Sequence, residues 1–234
     1  MNTGPWATER LCLAGCSLKP YKPGSVHARA RRSRGGGVLQ AEGLAAFRGE
    51  RLVLRDLSFA VAPGGALLLK GPNGSGKSTV LRLLAGLVRA AAGRLLWNGE
   101  DVLSDLTRQA ARTAYLGHQD AVKPGLTVSE NLHFAAAAGR GSVPDALDRV
   151  HLGPLADLPA RMLSAGQKRR LALARLALSP APLWLLDEPT LGLDAASVDR
   201  LGGLLHDHRA LGGLVVAATH LPLPLPGADE LCLR

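Results

Sequence analysis

Gly71-Pro72-Asn73-Gly74-Ser75-Gly76-Lys77-Ser78-Thr79 has the spacing of a phosphate-binding loop, G-x-x-x-x-G-K-[ST], with one further hydroxyl residue. An apolar run, Ala66-Leu67-Leu68-Leu69, comes before it, and Val80-Leu81-Arg82-Leu83-Leu84 follows. That is the strand–loop–helix setting the motif requires, and a chance glycine-rich turn would not need it. The glycines let successive backbone N–H groups converge on phosphate oxygens, and the helix starting near Lys77 adds its positive dipole end. The Lys77 ammonium is expected to reach the β- and γ-phosphates. The Ser78 hydroxyl is placed to ligate a Mg²⁺ ion bridging the same phosphates. Gly71, Pro72, Asn73, Gly74, Ser75, Gly76, Lys77, Ser78 and Thr79 therefore form the predicted phosphate-contact set.

Leu183-Trp184-Leu185-Leu186-Asp187-Glu188 is the second signal. Four apolar residues predict a buried strand, and the two acids stand at its end. Beside a phosphate loop, Asp187 is suited to orient the metal shell, and Glu188 to act as general base on the attacking water. Upstream, Leu163-Ser164-Ala165-Gly166-Gln167 opens a helical stretch, Lys168–Leu178. Ser164 reads as an N-cap, and the N–H groups at that helix start make an anion site.

Strands alternate with helices along the chain. Val38–Glu42 and Leu52–Val61 read as antiparallel β structure around Gly49-Glu50, and Leu95-Leu96-Trp97 runs into the tight turn Asn98-Gly99. Ala114–Gly117 and Leu214–Ala218 are further short strands. Val128–Ala138, Val143–Val150 and Ser197–Leu211 are predicted helices. This pattern argues an α/β protein with a parallel core and a helical insert at about residues 120–180.

The 234 residues, 47% hydrophobic, suffice for one sizeable domain. No apolar stretch approaches the ~18 residues that cross a bilayer. Cys12, Cys16 and Cys232 are too few for a disulfide framework, and no further pair completes a zinc site. His118, His133, His151, His206 and His208 lack a shared metal spacing. Of the net charge of +9, six units lie in residues 1–37, which carry seven basic residues and one acid. These residues end in Gly35-Gly36-Gly37 and show no periodicity. They read as a disordered basic extension, with Val38 as an alternative start; residues 38–234 are the folded domain.

Taken in order, the phosphate loop, the Leu-Ser-Ala-Gly-Gln segment and the acidic strand resemble the ATP-binding cassette (ABC) family. Ala165 stands where the commoner family form has glycine. The resemblance implies an α/β P-loop NTPase fold with a parallel core sheet, an antiparallel β subdomain and a helical signature subdomain. It implies an ATPase using ATP and Mg²⁺. Gln119, after the Tyr115–His118 strand, is similar to the family's Q-loop glutamine and implies a contact with Mg²⁺ and water. His220 resembles the histidine that holds the γ-phosphate, and Leu191-Gly192-Leu193-Asp194 resembles the D-loop. Catalytic work would thus fall to Glu188, His220, Gln119 and Lys77, with Ser78, Gln119 and Asp187 at the metal. Phe47 and Arg48 lie where the family places its adenine-stacking residue. Ser164 and Gly166 would bind the γ-phosphate held by a second copy in a head-to-tail dimer.

A narrower resemblance rests on Tyr115-Leu116-Gly117-His118-Gln119, Lys123–Phe134, Leu163–Leu176 and Leu183–Pro189. These stretches look like the haem-exporter ATPases of cytochrome c maturation. They imply integral membrane permease subunits as partners, no nucleic acid, and a peripheral place on the cytoplasmic face of a bacterial inner membrane. Another ABC exporter, for lipid, peptide or drug, is the alternative. A soluble cassette acting on nucleic acid or ribosomes fits less well, because the helical insert is compact.

Overall fold

The computed structural model describes residues 37–137 and 141–234, so the N-terminal extension up to residue 36 lies outside the described residues. The run before the phosphate loop forms β3 (Ala66–Lys70). It sits in a five-stranded parallel sheet with β6 (Thr113–Leu116), β7 (Leu183–Asp187), β8 (Leu214–Ala218) and β9 (Asp229–Cys232), in the order β6-β7-β8-β3-β9. Every residue of β7 and β8 is buried, which is why these strands read as unbroken apolar runs and not as alternation.

The pleat sorts these side chains into two layers. Leu67, Leu69, Leu183, Leu185, Leu214, Val216 and Ala218 pack towards helix α1 (Lys77–Leu84) and an antiparallel sheet. That sheet has the order β2-β1-β4-β5, formed by β2 (Arg51–Val61), β1 (Leu39–Arg48), β4 (Ala92–Trp97) and β5 (Glu100–Asp101). Ala66, Trp184, Leu186, Val215 and Ala217 pack the other way, on α3 (Val128–Ala136), α4 (Val143–Arg149), α5 (Ala165–Leu178) and α6 (Ala195–Ala210). Each leucine so buried is worth roughly 2 kcal/mol.

The antiparallel strands run longer than predicted. β1 continues past Gly43 because Gly43 and Gly93 face each other there. A Cβ on Gly93 would lie 2.4 Å from the Gly43 carbonyl oxygen, and the β1–β4 register shifts between Glu42 and Ala45. The turn Asn98-Gly99 joins β4 to β5 with both residues at positive φ. One helix has no counterpart in the sequence pattern: α2 (Leu106–Arg112), capped by Asp105 and burying only Gln109, whose amide donates to the Leu84 carbonyl at 2.7 Å. It has no apolar stripe and so leaves no periodic signal. Helix α6 starts ahead of the predicted Ser197 because the Asp194 carboxylate accepts from Ser197 N at 2.8 Å and caps it.

Candidate functional site

Parallel strands deliver their C-terminal ends to one edge of the sheet, where loops diverge and polar groups gather. The phosphate loop leaves β3 at this edge and enters α1 through Gly76, at φ +97°. A side chain on Gly76 would run into Leu54 Cδ2 at 2.8 Å, so β2 presses directly on the loop. Lys77 is buried and folded back, its Nζ donating to the carbonyls of Gly71 at 2.8 Å and Pro72 at 2.9 Å. Ser75 Oγ is buried and has no partner among the described residues. The loop is thus a curled cradle with a cation drawn across its mouth.

Next to it, β7 ends in the buried Asp187. Tyr115, from β6, stands close by, and burial pushes its hydroxyl above its ordinary 10.0. Glu188 follows at φ +49°, a left-handed conformation unusual for a glutamate. Its carboxylate faces His220: Oε2 accepts from His220 N at 3.2 Å, and Oε1 lies 3.8 Å from His220 Nε2. β7 and β8 run side by side, with Asp187 paired to Ala218, which brings Glu188 and His220 together.

Gln119 is exposed on the segment after β6. It lines a groove of about 220 Å³ with Tyr115, Asp120, Arg175 and Pro180 among others. Phe47 and Arg48 stand at the tip of the β1–β2 hairpin, where Phe47 is 50% exposed and pairs with Leu52. Ser164 and Ala165 are exposed at the start of α5. A capping box holds that start: Gln167 N donates to Ser164 Oγ at 3.2 Å, and Ser164 N donates to Gln167 Oε1 at 2.8 Å. Gly166 packs against the loop after β7; a Cβ there would meet the Gly192 carbonyl oxygen at 2.9 Å. Among the described residues, no hydrogen bond joins Ser164 or Gly166 to the phosphate loop of the same chain. A cleft of about 640 Å³ between β2 and the end of the described chain touches the loop only at Gly74 and Ser75, and Lys77, Asp187, Glu188 and His220 lie outside it. Lys77 and Asp187 are buried at the sheet edge, the Glu188 side chain is half-buried and the His220 side chain is exposed.

No feature of the sequence singles out Arg169, Arg175 or Asp120 for a role. Arg169 is 4% exposed and pairs with Asp120 at 2.8 Å. Arg175 donates to the carbonyls of Asp120 and Ala121, and burial lowers its pKa. The readable trace was slight: Arg169 stands one helical turn before the buried Leu173, on a face that is otherwise apolar.

The family model described as "ABC transporter" matches residues 54–191, more than half of the chain. The chain belongs to the ABC transporter family. A relative from Rhodospirillum rubrum, named "cytochrome c biogenesis ATP-binding export protein CcmA", is 55% identical over 199 residues, covering 84% of this chain and 85% of its own length. Among solved structures, an ATP-binding subunit of an ABC transporter is similar, with TM-score 0.76 and 26% identity. The match covers 84% of this chain and 86% of that one. A dimeric ATP-binding cassette bound to ADP and Pi shares the fold, with TM-score 0.72 and 24% identity over 84% of this chain and 94% of that one. This cassette is accordingly an ABC-type ATPase, and ATP is its nucleotide. No helix among the described residues is long and apolar enough to cross a membrane.

Proposed function

We propose that this cassette is the ATP-hydrolysing subunit of a membrane ABC complex that serves cytochrome c maturation as a haem exporter. The observation that carries the reading is the 55% identity, across 84% of the chain, to the cytochrome c biogenesis export protein of Rhodospirillum rubrum. The cassette would sit peripherally on the cytoplasmic face of the inner membrane and work through permease subunits.

ATP lies between two copies arranged head to tail. One copy supplies the cradle Gly71–Thr79, Lys77 to the β- and γ-phosphates, and Phe47 or Arg48 beside the adenine. Ser164 and Gly166 of the other copy close over the γ-phosphate with helix N-terminal N–H groups. On binding, Lys77 exchanges its two loop carbonyls for phosphate oxygens. Glu188 accepts the proton of the attacking water at its carboxylate. His220, already in contact with that carboxylate, orients it and meets the γ-phosphate.

Among the described residues there is no cluster of three or more His, Cys, Asp and Glu that could hold a metal. Mg²⁺ does not require one, because it keeps several waters and takes phosphate oxygens beside one or two protein ligands. A buried carboxylate at Asp187 and the Ser78 hydroxyl fit that demand, with Gln119 as the third candidate ligand. When bound, the ion neutralises charge on the β- and γ-phosphates.

Two measurements test this. Glu188→Gln should lower hydrolysis by about 10²–10³-fold and trap an ATP-bound dimer; an unchanged rate removes Glu188 as the base. Purification of the tagged chain from membranes should bring cytochrome c maturation subunits with it. Recovery of an unrelated permease instead would assign it to another exporter, and ribosomes or DNA would overturn the transport reading.

A further inference from the structure

We propose that Arg169 is a positioning residue for hydrolysis: it holds the left-handed turn at Glu188 and ties it to the segment carrying Gln119. This rests on the reading of Glu188 as general base. The guanidinium has five N–H donors in a planar fork, and each has its own acceptor here. Nε donates to the Pro189 carbonyl at 3.3 Å. Nη2 donates to the carbonyls of Asp187 at 2.9 Å and Glu188 at 2.5 Å. Nη1 donates to the Gly117 carbonyl at 3.0 Å and to Asp120 Oδ1 at 2.8 Å.

Three consecutive carbonyls, of Asp187, Glu188 and Pro189, thus converge on one side chain. They belong to the turn that places the Glu188 carboxylate, and that turn includes the positive φ. The other arm grips residues on both sides of Gln119. Arg175, farther along the same helix, holds the carbonyls of Asp120 and Ala121, so α5 straps the whole 117–121 segment. A buried ion pair adds little net stability over apolar groups of equal volume, so what Arg169 supplies is geometry. Because α5 also carries Ser164 at its start, a shift of α5 moves the Glu188 turn and the Gln119 segment with it.

The test is a double-mutant cycle on the full chain, with equilibrium ATP affinity and kcat measured in each variant. A lysine keeps the charge but gathers its three donors on one atom and cannot span these acceptors. Arg169→Lys should lower kcat at least about tenfold while the ATP Kd stays within about threefold. In the Glu188→Gln background the same substitution should change the residual rate by less than about twofold, because the group being positioned is already disabled. Equal losses in both backgrounds, or a Kd that rises in step with the fall in kcat, would make Arg169 merely structural and overturn the proposal. Should Arg169→Lys fail to fold, Asp120→Ala releases one arm of the fork. It should lower kcat about threefold in the parent and leave the Glu188→Gln rate alone; no loss in the parent overturns the proposal. A Glu188→Gln protein that hydrolyses at the parent rate overturns the base assignment itself, and the proposal with it.

Discussion

Glu188 occupies a backbone conformation that costs an L-residue about 1–2 kcal/mol, and the structure meets that cost with hydrogen bonds from both sides. Its N–H donates to the Ala218 carbonyl at 2.8 Å, and its own carbonyl accepts from Leu191 N and Arg169. His208 presents a different residue-scale effect. It stacks on Trp184, with ring centroids 3.9 Å apart, and burial lowers its pKa from 6.5 to about 4. The unfolded chain therefore binds a proton here more readily than the folded one. Stability is complete above about pH 6.5 and is lost as pH falls towards 4, by about 2 kcal/mol between pH 7 and pH 5. Urea unfolding at those two pH values should show this loss in the parent and a correspondingly smaller one in His208→Phe, which keeps the stacking; equal losses would show that His208 is not its source. At this scale the sequence displays strand-end residues well. Asp187 closes the apolar run of β7 with Glu188 just after it, and His220 stands two residues past the apolar run of β8. Arg169 was invisible for a physical reason: its acceptors are mostly backbone carbonyls, which carry no residue identity, from segments about 20 and 50 residues away.

Helix α5 is the element on which the layers meet. Its first turn is exposed and closed by a capping box, its second carries Arg169, and its apolar face fills the core below β6 and β7. Helix α3 has the same kind of box, with Thr127 Oγ1 accepting from Glu130 N at 3.1 Å. Replacing either cap with alanine should cost about 1 kcal/mol, read as roughly fivefold faster amide exchange in the first turn. Only Ser164→Ala should also slow ATP hydrolysis, because only that turn is proposed to meet a phosphate. Equal ATPase rates in Ser164→Ala and Thr127→Ala would leave Ser164 as a cap and nothing more. The unbroken apolar runs of β7 and β8 are legible to the residue, and α5 is legible apart from its first three residues. The sequence pattern of β1 breaks at Gly43, because the glycine there marks a bulge and not an end. α2 escaped because a short helix held by its cap and one buried glutamine has no hydrophobic repeat.

At the scale of the molecule, Glu188 is half-buried and His220 exposed beside the buried Lys77 and Asp187, whereas a pocket that excludes water is what raises the strength of charges acting on a phosphate. In the proposed head-to-tail dimer the second copy would supply that cover. Such an arrangement allows a strict complementation test. A chain with Lys77→Ala has a dead cradle but an intact Ser164 turn. A chain with Ser164→Glu has an intact cradle but a turn that repels the γ-phosphate. Each homodimer pairs a sound half with a defective half at both sites, so each alone should be nearly inactive. In the mixed dimer the intact cradle meets the intact turn at one site, while both defects fall on the other. Random exchange of equal amounts makes half the dimers mixed, each with one sound site, so activity should recover to roughly a quarter of the parent value. Recovery should need time for subunits to exchange and should vanish on dilution below the dimer's dissociation constant. A mixture that stays at the sum of its two components would mean that Ser164 acts within its own chain, or not at the phosphate at all.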